Sequence, residues 1–441
     1  MIYTDMRNFI FLMLHATFCI FLYIISTQLA SNIFNMMAIG YLALTSLYIL
    51  LDPRGGWIFL LYAFGLTLAC LSNSLIELTN IFLIEIKEYP SLTGGAARNS
   101  FLSSFFLIVI YITYRFSLKF FPSSFPKVAI LEPMAERGLL LLSVFVPCYL
   151  VACLIIYGSP LILGISRFDY FSSIAPSGFR RIYTFIPFLG LIVSLASYKG
   201  TINKIWSIVW IISLVFIMIL TGEKFSLLFL SIFFFMLPVF IFSNKGVRLI
   251  HVFWGSAVLI LLAGLIVLNY YIVSGSISMF LPRLALQGQM PYAVDGISKH
   301  MQELDVILKS FFGFGSPENE NGIYFLMYLI APSEIVDRML SAGITFTVPF
   351  PSNFSYFFGY TFAPVFLTIH GILAGVICGL FYKAIQQKNF ILTSILAITF
   401  HLVYLATIMG KIDRVFGWPM AMCILFLIFY MLVSLAFKKK F

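Results

Sequence analysis

The chain repeats one pattern about twelve times: a run of roughly 17 to 29 apolar residues, closed by charges, proline or glycine. The runs fall at approximately 9–27, 29–51, 57–78, 99–115, 138–157, 182–198, 205–221, 225–243, 249–273, 354–382, 390–408 and 419–437. A helix needs about 20 apolar residues to cross a bilayer, so each run is long enough to be a span. Composition agrees. A soluble domain has about 25% charged residues, whereas this chain has 10%, with 61% hydrophobic residues and a mean hydropathy of +1.03. The pattern predicts an all-α polytopic membrane protein with about twelve spans, forming one integral domain over residues 1–441. The run from Phe9 to Ser26 ends in a weakly signal-like stretch, but another run follows at once, so it is read as a retained first span. Cys19, Cys70, Cys148, Cys153, Cys378 and Cys423 all lie in apolar runs and read as packing residues; neither a disulfide framework nor a metal site is expected.

Lys and Arg set the orientation. With both termini in the cytoplasm, that side carries Arg7, Arg54, Arg115, Lys119, Lys127, Arg137, Lys199, Lys204, Lys245, Arg248, Lys383, Lys388 and the terminal lysines, against only Asp5, Asp52, Glu132 and Glu136. The positive-inside rule favours this arrangement. The net charge of +10 is this bias, so no nucleic-acid partner is implied. The outward face then holds the segments 81–100 and 158–181, a turn at Thr221–Lys224, a long loop at 274–352, and a short connection with Lys411, Asp413 and Arg414. Loops as long as 274–352 are uncommon without a functional reason.

The outward loops supply the candidate chemistry. Arg98, Arg167, Arg180, Arg181, Arg283, Arg338 and Arg414 sit there. Arginine matches phosphate bidentately, which suits a lipid-linked pyrophosphate at the bilayer surface. For Arg180 and Arg181, snorkelling beside a span is an equally complete account. The segment Ile297–Phe311 is expected to be an amphipathic helix, with Ile297, Met301, Leu304, Leu308 and Phe311 on one stripe. Its polar side carries His300 and Glu303 one turn apart, either as a base offered to a substrate or as a plain solvated face. A second helix is expected over Ser333–Leu340, presenting Glu334, Asp337 and Arg338. Within the spans, His15, His370 and His401 read as packing residues, and Glu77 lies near an outer end. No paired mid-depth charges suggest an ion pathway. Gly371, Gly375 and Gly379 form a small-residue stripe, expected to seat a neighbouring helix of the same chain.

There is no P-loop, dinucleotide fingerprint, HExxH, GxSxG or Asp-x-Asp pair. An enzyme of this composition would need a substrate that is already activated. At this point the layout resembles the O-antigen polymerase family of bacterial inner membranes. The likeness lies in the span number, the Phe- and Leu-rich composition and two large outward loops. The first of these, 158–181, holds Arg167 followed by Gly178, matching the family's Arg-x10-Gly pattern; in the second, Arg283 and Gly296 are two residues further apart than that pattern. His300–Gly313 is similar to the His-bearing segment of O-antigen ligases, and Asn353–Gly379 resembles the FG...G...G span of polysaccharide polymerases.

The resemblance implies a GT-C-like glycosyltransferase that needs no cofactor or metal. It would transfer a growing glycan from undecaprenyl pyrophosphate to a new undecaprenyl-pyrophosphate-linked repeat unit on the periplasmic face, alongside a chain-length regulator protein. It also implies roles: Arg167, Arg180, Arg181, Arg283 and Arg338 against the pyrophosphate, and His300, then Asp337 or Glu303, as base. The competing expectations are a lipid-linked oligosaccharide flippase, a ligase, and an acyltransferase working through His370 or His401. A flippase would show two similar halves, short loops and mid-depth charges, none of which the sequence has.

Overall fold

The computed structural model describes residues 2–121, 125, 131–165, 167–223, 226–243, 264, 280–297, 300–317, 320–341 and 344–438. Among these the fold is helical throughout, with only isolated backbone bridges at Leu83–Glu88 and Met301–Phe358. The long helices in chain order are α1 (Ile2–Ser26), α2 (Asn32–Leu50), α3 (Leu60–Thr79), α4 (Gly95–Phe120), α5 (Leu131–Tyr157), α6 (Phe179–Lys199), α7 (Lys204–Leu220) and α8 (Ser226–Phe242). Then come α9 (Gln289–Gly296), α10 (Gly322–Ile330) and α11 (Ser333–Ser341), followed by α12 (Ser352–Gln386), α13 (Phe390–Ile408) and α14 (Trp418–Lys438). Eight helices among the described residues are long and apolar enough to cross a membrane: α1 to α6, α12 and α13. α7, α8 and the apolar part of α14 are shorter. The expected span 249–273 lies almost wholly outside the described residues.

The helices pack in two groups. The larger is built on α1 to α4, α12 and α13, and includes Leu66, Phe106, Tyr114, Phe381 and Phe400, each fully enclosed. The smaller joins α5, α6 and α7 around Leu150, Tyr183, Ile186, Leu214 and Met218. α8 bridges them, giving Phe233 and Phe234 to the first and Leu228 to the second. The glycine stripe on α12 lies against α4. A Cβ on Gly371 would be 2.8 Å from Val109 Cγ1, one on Gly375 2.5 Å from the Ile110 carbonyl, and one on Gly379 2.5 Å from Ser117 Cβ. The stripe is an intramolecular seam, which lets two backbones approach where side chains would hold them apart.

The connections sort into two ends. At one, Arg115 pairs with Asp52 at 2.9 Å, Lys199 with Glu136 at 2.5 Å, and Glu132 accepts from the Phe390 amide at 2.9 Å. At the other, Gly313 sits against Asp413, Gly410 against Pro349, and Lys411 lies over the Tyr324 ring at 5.1 Å. Segments that charge arithmetic assigned to one side thus meet one another at one end of the bundle.

The long loop is folded rather than draped. α11 forms where expected and runs one residue longer. The helix expected over Ile297–Phe311 does not form. Helix begins only at Leu304, continuing as a wide turn through Ile307–Phe311, and His300–Gln302 runs beside α12 instead. The expected stripe is also wrong: Ile297, Met301, Leu304 and Leu308 are exposed, while Ile307 and Phe311 are buried. The short helix ahead of it, α9, is the element that inserts, with Gln289, Met290, Pro291, Tyr292, Val294 and Asp295 all buried.

Candidate functional site

α12 is two helices joined at a break. Gly359 has φ 67° and ψ 167°, a backbone region open essentially to glycine alone. A break frees backbone groups that must find partners elsewhere. The loop supplies them: the Gln302 amide donates to the Phe357 carbonyl at 3.0 Å, and Met301 bridges Phe358 antiparallel. The contact is close. A Cβ on Gly359 would lie 2.8 Å from Met301 N and 2.9 Å from the carbonyl carbon of His300.

Behind the break lies a buried charge cluster. Arg98, in the first turn of α4, donates from Nε at 3.0 Å and Nη2 at 2.6 Å to Asp295 Oδ2 on α9. Its Nη1 donates to the Ser26 carbonyl at 2.9 Å and Nη2 to the Thr93 carbonyl at 2.9 Å. The Tyr360 ring stacks 5.2 Å from the guanidinium, and the Tyr360 hydroxyl donates to the Asp295 carbonyl at 2.9 Å. Both charged side chains are buried, at 7% and 0% exposure, which is the regime where losing one partner is costly. Burial pushes the Asp295 carboxyl up, while the Arg98 guanidinium pulls it down. Glu77 caps the start of α4, accepting from Asn35 Nδ2, Thr93 Oγ1 and the amides of Gly94 and Ala96. That is a helix N-terminus satisfied by a carboxylate from a neighbouring helix.

The residues singled out from sequence stand on separate elements. His300 and Glu303 are exposed on the segment docked at the break, not on a shared helix face. Asp337 and Arg338 are exposed on α11, where Asp337 accepts from the Tyr328 hydroxyl at 2.5 Å. That hydrogen bond, first among the causes, raises the Tyr328 hydroxyl above its ordinary range. Arg180 and Arg181 are exposed in the first turn of α6. Arg167 is already engaged by Glu223, which also takes a hydrogen bond from Tyr183 at 3.4 Å. Arg283 lies in the short helix Phe280–Ala285, and its side chain is outside the described residues. Among the described residues no group of three His, Cys, Asp or Glu side chains converges as a metal site requires.

Sequence reading missed Asp295 and Tyr360, and it placed Arg98 in an outward loop. One signal was present: Asp295 is a lone acid in the otherwise uncharged stretch Leu284–Ile297. The histidines inside helices are packed. His370 Nε2 lies 2.7 Å from Thr407 Oγ1, His15 stacks on Tyr41 at 4.9 Å, and His401 meets Phe188 edge-on at 5.6 Å.

Residues 316–437 match a protein family described as a family of unknown function (DUF6418). The match begins inside the long loop and takes in the broken helix α12, α13 and most of α14. It covers less than a third of the chain. No curated protein and no solved structure matches.

Proposed function

We propose that this chain is a membrane glycosyltransferase of the O-antigen polymerase type, GT-C-like in layout, seated in a bacterial inner membrane with both termini cytoplasmic and the long loop outside. One observation carries the reading: His300, an exposed imidazole with proton-transfer chemistry, sits on backbone locked against a helix break at the bundle end where the long loop folds. A side chain held this way is pre-placed for a substrate arriving at the bilayer surface. In the proposed reaction an acceptor hydroxyl attacks the anomeric carbon of the donor glycan. The bond from that carbon to the pyrophosphate oxygen breaks, undecaprenyl pyrophosphate leaves, and His300 takes the hydroxyl proton. Arg180, Arg181 and Arg338, exposed on ordered helices, and Arg283 are assigned to the leaving pyrophosphate. Arg167, held by Glu223, would need to exchange that partner first.

General-base assistance contributes about 10²–10⁴ in rate. His300→Ala is therefore expected to collapse the surface polysaccharide to single-repeat length on a gel, with the variant still inserted. A full ladder from inserted variant protein would remove His300 from the site. Deleting the gene separates the alternatives: full-length unattached polymer indicates a ligase, and repeat units trapped on the cytoplasmic face indicate a flippase.

A further inference from the structure

We propose that the break at Gly359, backed by Tyr360 and the Arg98–Asp295 pair, is a positioning device for His300; this rests on the reading of His300 as the base. Three observations converge on it. First, the backbone of His300 and Met301 lies within 3.3 Å of where a Cβ on Gly359 would stand, so the docked segment and the break fit closely against each other. Second, the segment is fastened beyond His300 by the Gln302–Phe357 hydrogen bond at 3.0 Å. Third, the residue after the break, Tyr360, is held from two directions. Its hydroxyl donates to the Asp295 carbonyl at 2.9 Å, and its carbonyl accepts from the Tyr23 hydroxyl at 3.0 Å. Asp295 is in turn fixed by Arg98.

The clamp therefore runs from the rigid bundle, α1 and α4, through α9 and the break, to the one exposed histidine of the loop. Misplacing a reacting group by about 1 Å can cost about a hundredfold in rate, so the rigidity has a direct catalytic reading. Arg98, Asp295, Gly359 and Tyr360 touch no substrate in this scheme. They are positioning residues, and His300 alone would meet the acceptor.

Tyr360→Phe is the informative variant, because it keeps the ring under Arg98 and removes only the hydroxyl. With purified full-length protein and lipid-linked repeat units, it is expected to lower kcat about tenfold with KM unchanged. In a His300→Ala background the same substitution should cost nothing further, since there is no base left to misplace. An equal loss in both backgrounds, or no loss at all, overturns the positioning role. Wild-type turnover by His300→Ala overturns both this inference and the base assignment on which it rests.

A second measurement needs no turnover: the rate at which diethyl pyrocarbonate modifies His300, read by peptide mass spectrometry. It should change by about threefold or more in Tyr360→Phe if the imidazole is positioned through this clamp. A changed rate in a protein that makes no polymer would sink the glycosyltransferase reading and keep the clamp. An unchanged rate would sink the clamp.

Discussion

Arg98→Ala is expected to destabilise the protein by about 3–5 kcal/mol, the usual consequence of stranding a buried charge. The stranded partner is Asp295 rather than Glu77. Glu77 keeps four donors of its own, from Asn35, Thr93 and the Gly94 and Ala96 amides. Asp295 depends on Arg98 for both bonds to its Oδ2, and its Oδ1 is buried with no hydrogen-bond partner among the described residues. The loss should show as earlier unfolding in detergent, read by labelling of the buried Cys19, Cys70, Cys153, Cys378 and Cys423.

The pH dependence has a definite sign. Burial already raises the Asp295 carboxyl, and removing Arg98 removes the charge that opposes this. A group raised in the fold contributes its stability below its unfolded value, about 4 for Asp, and loses it as pH rises through the folded value. The deficit of Arg98→Ala should therefore be smallest in acid and grow toward neutral pH. Arg98→Met with Asp295→Leu, which removes both charges, should recover most of the loss. An unfolding midpoint for Arg98→Ala equal to wild type at neutral pH would show that the pair does not hold α9 in place.

The long helices were legible because bilayer thickness imposes a length on apolar runs: eleven of the twelve runs coincide with helices, eight of which are long and apolar enough to cross a membrane, and the twelfth lies almost wholly outside the described residues. The start of α4 was not. Its cap is Glu77 on another helix, and Gly94, with φ 75°, gives no side-chain cap of its own. Local reading therefore began the span at residue 99 and left Arg98 outside. The segment Ile297–Phe311 failed for a related reason. Its apolar spacing fits a helix, but the break at Gly359 claims the backbone of residues 301 and 302 for itself. Tertiary demand overrode local periodicity. Glu223 read as part of a tight turn, and only folding shows it reaching Arg167 and Tyr183. The candidate site suffered most from this. His300 was visible as a residue type, whereas the clamp under it is assembled from α1, α4, α9 and α12.

The glycine stripe succeeded because its message is local: three glycines four apart leave one helix face bare. That face makes the second large prediction. Gly375→Ala places a Cβ 2.5 Å from the Ile110 carbonyl oxygen, 2.7 Å from Thr113 Cβ and 3.1 Å from the Tyr114 amide. Two of these are backbone atoms in the middle of α4, so no rotamer change relieves the clash and the two helices must separate. Overpacking of this kind costs about 1–3 kcal/mol, and Gly375→Val should lie at or beyond the upper end. Gly371→Ala meets mainly the end of the Val109 side chain and should cost less. Gly40 on α2 and Gly138 on α5 are the controls, since a Cβ at either has nothing within 4 Å. Alanine there removes a poor helix former and should be neutral or stabilising by up to about 1 kcal/mol. The cysteine-labelling assay orders all five variants. If Gly375→Ala instead unfolds like wild type but loses a self-associated form on size exclusion, the stripe faces a second copy and the α4–α12 seam is not its purpose.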